Sequence, residues 1–139
     1  MAVETEIVYT GNNHCQATHG PSNSTITTDL PVDNGGKGEA FSPTDLVAAA
    51  LGTCIVTILG KLGARHGWDL TGTRIHVTKE MAAAPSRRIG LLKTTVTLPT
   101  GRAWSADDRR RLENAADTCP VKKSLHPEVQ VPIEFVYPE

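Results

Sequence analysis

The sequence predicts an α+β fold in which strands and helices form separate groups along the chain. Three observations lead to this class. The first 28 residues contain three strand-like stretches separated by turn residues, one long apolar segment follows, and the rest holds three strand-like and two helical segments. The predicted order is βββ-α-ββ-αα-β, which is typical of α+β proteins. A chain of 139 residues is long enough for one core, so we predict a single domain over residues 1–139.

The N-terminal part is expected to be an antiparallel meander. Residues 3–10, 14–18 and 24–28 are rich in β-branched side chains or alternate in polarity, and a glycine and two asparagines at 11–13 mark the first turn. Residues 29–41 contain proline and several glycines, which predicts a loop. Loops of this length are often functional.

A long helix is predicted next. Ser42 suits the N-cap, Pro43 the first helical position and Asp45 the far end of a capping box. The helix should run to about His66, with Gly67 as its stop. Because it is apolar nearly all round, we expect burial on most sides, partly by a second subunit. It reads as too short and too weakly apolar to span a bilayer.

The C-terminal half supplies the remaining elements. Residues 69–79 and 87–98 are expected to pair as strands, and a second capping box opens a helix at Ser105. A short helix should then follow over 119–125, and residues 128–136 alternate as a last strand at a sheet edge.

Composition excludes several function classes. The net charge of −1 gives no electrostatic reason to expect a nucleic acid or an anionic membrane as partner. No signal peptide is visible at the N-terminus, so a cytoplasmic location is expected. Three cysteines without a CxxC pair argue against a disulfide framework, a zinc ribbon or a thioredoxin-type site, and favour reduced thiols.

Two cysteines in unlike settings are the main candidates for chemistry. Cys54 lies within the apolar helix, where burial alone would raise its pKa, so it is either an inert core residue or needs a cation supplied by the fold. Cys119 precedes Pro120 at a helix start, where N–H groups and nearby lysines favour a thiolate; the alternative is an incidental cap. They are 65 positions apart, so only the fold could join them.

These motifs together resemble the OsmC/Ohr family of osmotically inducible and organic hydroperoxide resistance proteins. The resemblance rests on the Gly35-Gly36 pair, the Ser-Pro-x-Asp-Leu start at residues 42–46, the helical Cys54 and the distant Cys-Pro-Val at 119–121. It covers nearly the whole chain, including the order of elements.

The resemblance implies an intertwined homodimer with two sites at the subunit interface and a peroxidase acting on organic hydroperoxides. Cys54 would be the peroxidatic cysteine, Cys119 the resolving one, and a dithiol or lipoyl-type reductant would restore them. No metal, haem or flavin is implied. Asp45 stands where relatives usually carry a glutamate that orients a catalytic arginine.

One departure from the family pattern concerns that arginine. No arginine precedes Arg65, and His19 and Lys37 are the nearest candidates for stabilising a thiolate. Nine positions along a helix place Asp45 and Cys54 on opposite sides, so Asp45 would serve the Cys54 of a partner subunit; its alternative role is capping alone.

The sequence also allows two other functions. The missing arginine favours a non-enzymatic dimer that binds a small hydrophobic ligand, with vestigial or sensory cysteines. A purely structural dimer is the third possibility. A metal site built from His14, Cys15 and His19 is not expected, because the spacing matches no common pattern.

Overall fold

The computed structural model describes residues 1–139 and has the predicted α+β architecture with two sheets. The elements are β1 (Thr5–Gly11), β2 (His14–His19), β3 (Thr25–Thr28), α1 (Pro43–His66), β4 (Arg74–Ala82), β5 (Arg88–Thr97), α2 (Ala106–Ala116), α3 (Pro120–Ser124) and β6 (Ile133–Val136). A single 3₁₀ turn at Val32–Asn34 adds to this order. The predicted class and element order are therefore confirmed.

By internal contacts the chain forms two compact units, Met1–Val47 and Ala48–Glu139, with the boundary inside α1. The first unit holds the antiparallel sheet β1-β2-β3. Asn12 and Asn13 both have positive φ in the turn between β1 and β2, a conformation that asparagine tolerates better than most residues. The turn that the sequence indicated is thus formed by these two residues.

The loop after β3 is organised by one buried carboxylate. Asp29 is 2% exposed, its Oδ1 accepts a hydrogen bond from the Leu30 N–H at 2.7 Å, and its Oδ2 accepts one from the Glu39 N–H at 3.0 Å. The chain also approaches itself closely at Gly36, where a Cβ atom would collide with the Leu30 carbonyl oxygen. The segment is therefore held in place although it contains little regular structure.

The start and end of α1 follow the sequence signals. The Ser42 N–H donates to Asp45 Oδ2 at 2.9 Å and the Asp45 N–H donates to Ser42 Oγ at 3.1 Å, which is the reciprocal pattern of a capping box. At the other end Gly67 has φ of 71°, and the Trp68 N–H donates to the Gly63 carbonyl at 2.8 Å. This is the left-handed glycine stop that lets the last carbonyls find partners.

The expectation that α1 is too short and too weakly apolar to span a bilayer is corrected by its length and hydropathy. The helix has 24 residues and a mean hydropathy of 1.9 over its most apolar window, enough by length and composition to cross a membrane. In the structure, however, Leu51, Ile55 and Leu59 are completely buried within the protein. We conclude that α1 is the core helix of this fold. Only 33% of its most apolar window is buried, however, so the expected burial on most sides is not reached within one chain.

The second unit contains the sheet β4-β5-β6, in which β4 and β5 are antiparallel and β6 runs parallel to β5. The buried side chains of β5 alternate along the strand at Leu92, Thr94 and Val96, as expected for a strand with one face against a core. From α2, Leu112 and Ala116 are also buried.

Two strand boundaries differ from the prediction. Strand β4 begins at Arg74 instead of residue 69, because Thr71 donates its N–H to Asp69 Oδ1 and Thr73 donates its N–H to the Leu70 carbonyl, closing a turn. Strand β6 begins only at Ile133, because Pro132 has no N–H to continue the ladder. It lies at a sheet edge, as predicted.

Two helical glycines of α1 provide a matched test of packing. A Cβ at Gly60 would meet nothing within 4 Å, whereas a Cβ at Gly52 would lie 3.1 Å from Ile75 Cγ2 and 3.3 Å from Val77 Cγ2 on β4. Gly60→Ala should raise the free energy of unfolding by about 0.5–1 kcal/mol, because alanine loses less backbone entropy. Gly52→Ala should gain less or lose stability, because β4 must shift. Urea unfolding measures both, and equal gains would contradict this account.

Candidate functional site

The second unit brings the two candidate cysteines together. Cys54 is half-buried on α1, and Cys119 is completely buried as the N-cap of α3. Their thiols lie within hydrogen-bonding range of each other, and no disulfide joins them. The fold therefore places one partly accessible thiol against one fully enclosed thiol.

Burial sets the electrostatics of Cys119. Desolvation raises the pKa of its thiol above the ordinary value, and the hydrogen bond with the Cys54 thiol raises it further. The N–H groups of Lys122 and Val121 act in the opposite direction, with the Lys122 N–H 3.4 Å from Cys119 Sγ. The expectation that this helix start activates Cys119 is thus wrong in its net direction, because the cost of burying a charge outweighs two N–H donors.

This difference predicts the order in which the thiols react. In reduced protein at pH 8, iodoacetamide should label Cys54 before Cys119, because Cys119 is enclosed and its raised pKa leaves little thiolate. Labelling of Cys119 should increase as the pH rises above 9.0, its ordinary pKa. Peptide mapping by mass spectrometry, in a Cys15→Ser background that removes the third thiol, measures both rates. Faster labelling of Cys119 at pH 8 would contradict the assignment.

A cleft of about 440 Å³ lies between segments that also carry the two cysteines. Its lining comes from α1 and from the segment between α2 and α3: Ile58, Lys61, Leu62, Arg65, Ala115, Thr118 and Pro120. Ile58 lies one helical turn beyond Cys54, and Pro120 directly follows Cys119. Our sequence reasoning missed this cleft, although the spacing of Ile58 and Lys61 from Cys54 already indicates one shared helix face.

The other predicted site residues belong to the first unit, where each has a local role. Asp45 completes the capping box described above. His19 is exposed at the end of β2, with its Nδ1 2.6 Å from Ser22 Oγ. Lys37 is exposed, and its backbone N–H is among the donors to Asp29. The capping role of Asp45 is thus observed, while the catalytic roles of these residues stay predictions.

One group of potential metal ligands occurs in the first unit. Ligand atoms of His14, Asp29 and Glu39 all lie within 4.8 Å of one another, and His14 Nε2 is 3.6 Å from Asp29 Oδ1. Both Asp29 oxygens already accept N–H groups of the loop. The Glu39 N–H is the main cause of the lowered pKa of Asp29, with smaller contributions from the Leu30 N–H and the charge on His14. We therefore assign this carboxylate to fixing the loop.

The lowered pKa of Asp29 makes stability depend on pH. A carboxyl group whose pKa is lower in the folded than in the unfolded protein stabilises the fold above its unfolded value, 3.8, and this contribution is lost as the pH falls through the folded value. Asp29→Asn should lower the thermal unfolding temperature at pH 7 and make it fall less steeply below pH 4. Glu6→Gln on the exposed face of β1 is the control. An unchanged acid profile in Asp29→Asn would refute the proposed role.

Sequence and structure comparisons place these features among known proteins. The family of OsmC-like proteins matches residues 36–134, which include both cysteines and the capping box. A solved structure from Psychrobacter arcticus 273-4, for which an osmotic stress and detoxification response role has been proposed, has 40% sequence identity over 96% of this chain and 93% of that chain, with a TM-score of 0.85. No curated protein matches the chain.

More distant structures share the fold. An organic hydroperoxide resistance protein OsmC from Legionella pneumophila has 16% identity and a TM-score of 0.77, covering 98% of this chain and 97% of that one. The organic hydroperoxide resistance protein OhrB of Bacillus subtilis has 17% identity and a TM-score of 0.68, covering 97% and 98%. At these identities the likeness concerns the architecture.

Proposed function

Because this chain belongs to the family of OsmC-like proteins, we propose that it is a cysteine-based peroxidase that reduces organic hydroperoxides. The observation that carries this proposal is the contact between the half-buried Cys54 thiol and the buried Cys119 thiol. A peroxidatic cysteine must be reached by its substrate, and a resolving cysteine must be able to reach the oxidised product. The two thiols meet these two requirements in that order.

The proposed cycle has three steps. The Cys54 thiolate attacks the terminal peroxide oxygen, the O–O bond breaks, and the alkoxide takes up a proton to leave as an alcohol while Cys54 becomes a sulfenic acid. The Cys119 sulfur then attacks the Cys54 sulfur, an S–S bond forms, and the displaced hydroxide leaves as water with the Cys119 proton. An external dithiol reduces the disulfide and is itself oxidised to a disulfide.

The raised pKa of Cys119 fits the second step. A protonated thiol next to Cys54 does not compete for the peroxide in the first step, and it carries the proton that the departing hydroxide needs in the second. The S–S bond requires little movement, because the two side chains are already in contact. No cofactor takes part in the proposed cycle, and the reductant is of the dithiol or lipoyl type.

We also propose that the protein acts as a homodimer in the cytoplasm. Large apolar side chains are exposed in the first unit, where Ile7, Val8 and Tyr9 of β1 are each more than half exposed, as is Phe41. Exposed apolar surface of this kind marks interfaces. In such a dimer Asp45 of one subunit would face Cys54 of the other, and His19 and Lys37 would be the candidates for stabilising the thiolate in place of the missing arginine.

The cleft favours a second candidate function. A space of about 440 Å³ with Ile58, Leu62 and Pro120 in its lining is suited to a small hydrophobic ligand, and the chain lacks an N-terminal arginine. In that case the protein would bind such a ligand without turnover, and the cysteines would be vestigial or act as a sensor.

The mass of the intact protein separates these functions. After stoichiometric cumene hydroperoxide, the wild type should lose two hydrogen atoms, Cys119→Ser should gain one oxygen atom at Cys54, and Cys54→Ser should remain unchanged and lose turnover with a dithiol. Cys15→Ser, which removes the remaining thiol, should behave as the wild type. Turnover by Cys54→Ser at the wild-type rate would rule out the peroxidase, and an unmodified wild type would favour the binding protein.

A further inference from the structure

One face of α1 connects Cys54 to two cations. Lys61 and Arg65 follow Cys54 by seven and eleven positions, which at about 100° per residue returns both to within roughly 20° of the Cys54 direction. Ile58 and Leu62 lie on the same side of the helix, between Cys54 and Arg65. Both apolar residues and both cations line the cleft. A thiol, an apolar stretch and a positive end thus follow one another along one helix face.

The two cations differ from several other basic side chains of the second unit. Lys122 pairs with Asp117 at 2.6 Å, and Arg110 and Arg111 pair with acidic side chains one turn earlier on α2. Neither Lys61 nor Arg65 forms an ion pair with a carboxylate among residues 1–139. Their charges are therefore available to an anion that enters the cleft.

The helix rise gives the length of a matching ligand. The Cα atoms of Lys61 and Arg65 lie about 10 and 16 Å beyond that of Cys54 along the axis. Helical side chains lean toward the N-terminus, which brings both charged groups back toward Cys54. An anionic group held there is on the order of 10 Å from the reacting sulfur. A mid-chain hydroperoxide of a long-chain fatty acid has its carboxylate at about this separation.

We infer that Lys61 and Arg65 form an anion subsite that selects amphipathic hydroperoxides carrying a carboxylate, with Ile58 and Leu62 contacting the intervening alkyl chain. This inference rests on the proposed peroxidase function and adds the residues that recognise the charged end of the substrate. The reaction is the one given above. The peroxide oxygen is transferred to Cys54, and the product alcohol keeps its carboxylate at the cationic end.

A pair of substrates that differ in one charge tests this inference. The mid-chain hydroperoxide of an unsaturated fatty acid and its methyl ester, both below their micelle concentrations, have the same alkyl chain and the same peroxide. The wild type should show a kcat/KM about tenfold higher for the acid than for the ester, because two charge-assisted contacts are available only to the acid. This ratio should fall as salt is added.

Variants of the two cations assign the effect. In Lys61→Gln/Arg65→Gln the acid-to-ester ratio should drop to about one, as expected when the charge-assisted contacts are lost. The charge-conserving exchange Lys61→Arg/Arg65→Lys should keep most of the preference. Lys93→Gln removes an exposed charge on β5 and should leave the wild-type ratio unchanged. A wild-type ratio near one, or a preference retained by the double glutamine variant, would overturn the inference.

A binding measurement keeps this test independent of catalysis. If neither hydroperoxide oxidises Cys54, the peroxidase proposal fails, and equilibrium titration with the saturated fatty acid and its methyl ester decides on the subsite. Binding of the acid that weakens about tenfold in the double glutamine variant supports it. Equal affinity of the wild type for acid and ester overturns it.

Discussion

The contact between Cys54 and Cys119 depends on the rotation of α1 about its own axis. Leu51 and Ile55, which flank Cys54 in sequence, are completely buried, so turning the helix would expose both. Each such exposure costs about 1.5–3 kcal/mol, far more than a contact between two thiols provides. The apolar core therefore fixes the direction of the Cys54 side chain. The position of the thiol is set by the packing of its neighbours and not by its own interactions.

The same enclosure that positions Cys119 also determines its protonation. A cysteine at a helix start would usually gain thiolate character from the free N–H groups, and both donors are present here. Full burial reverses the outcome, because the charged form loses its hydration. The local sequences alone would predict the more acidic thiol at Cys119 and the less acidic one at Cys54. Burial raises the pKa of Cys119 instead.

Local signals made the fold largely predictable, whereas the site depended on tertiary packing. Both ends of α1 were correct because a capping box and a glycine stop act within one turn. The predicted start of β4 was wrong because Asp69 closes a turn inside a stretch whose residues alternate as in a strand. The pairing of the thiols was expected only through family resemblance. The direction of the Cys119 pKa and the cleft could not be read from sequence, because both depend on which segments pack together.

The composition of α1 is best explained by several requirements on one helix. The hydroxyls of Thr53 and Thr57 both donate to carbonyls of the preceding turn, so these hydroxyl groups are hydrogen-bonded within the helix. A helix of this kind resembles a membrane span, yet two cations interrupt it on the face that carries Cys54. In a bilayer those charges would be costly. Here they border a cleft with apolar lining and charge at one end, which suits a molecule that is itself apolar and charged at one end.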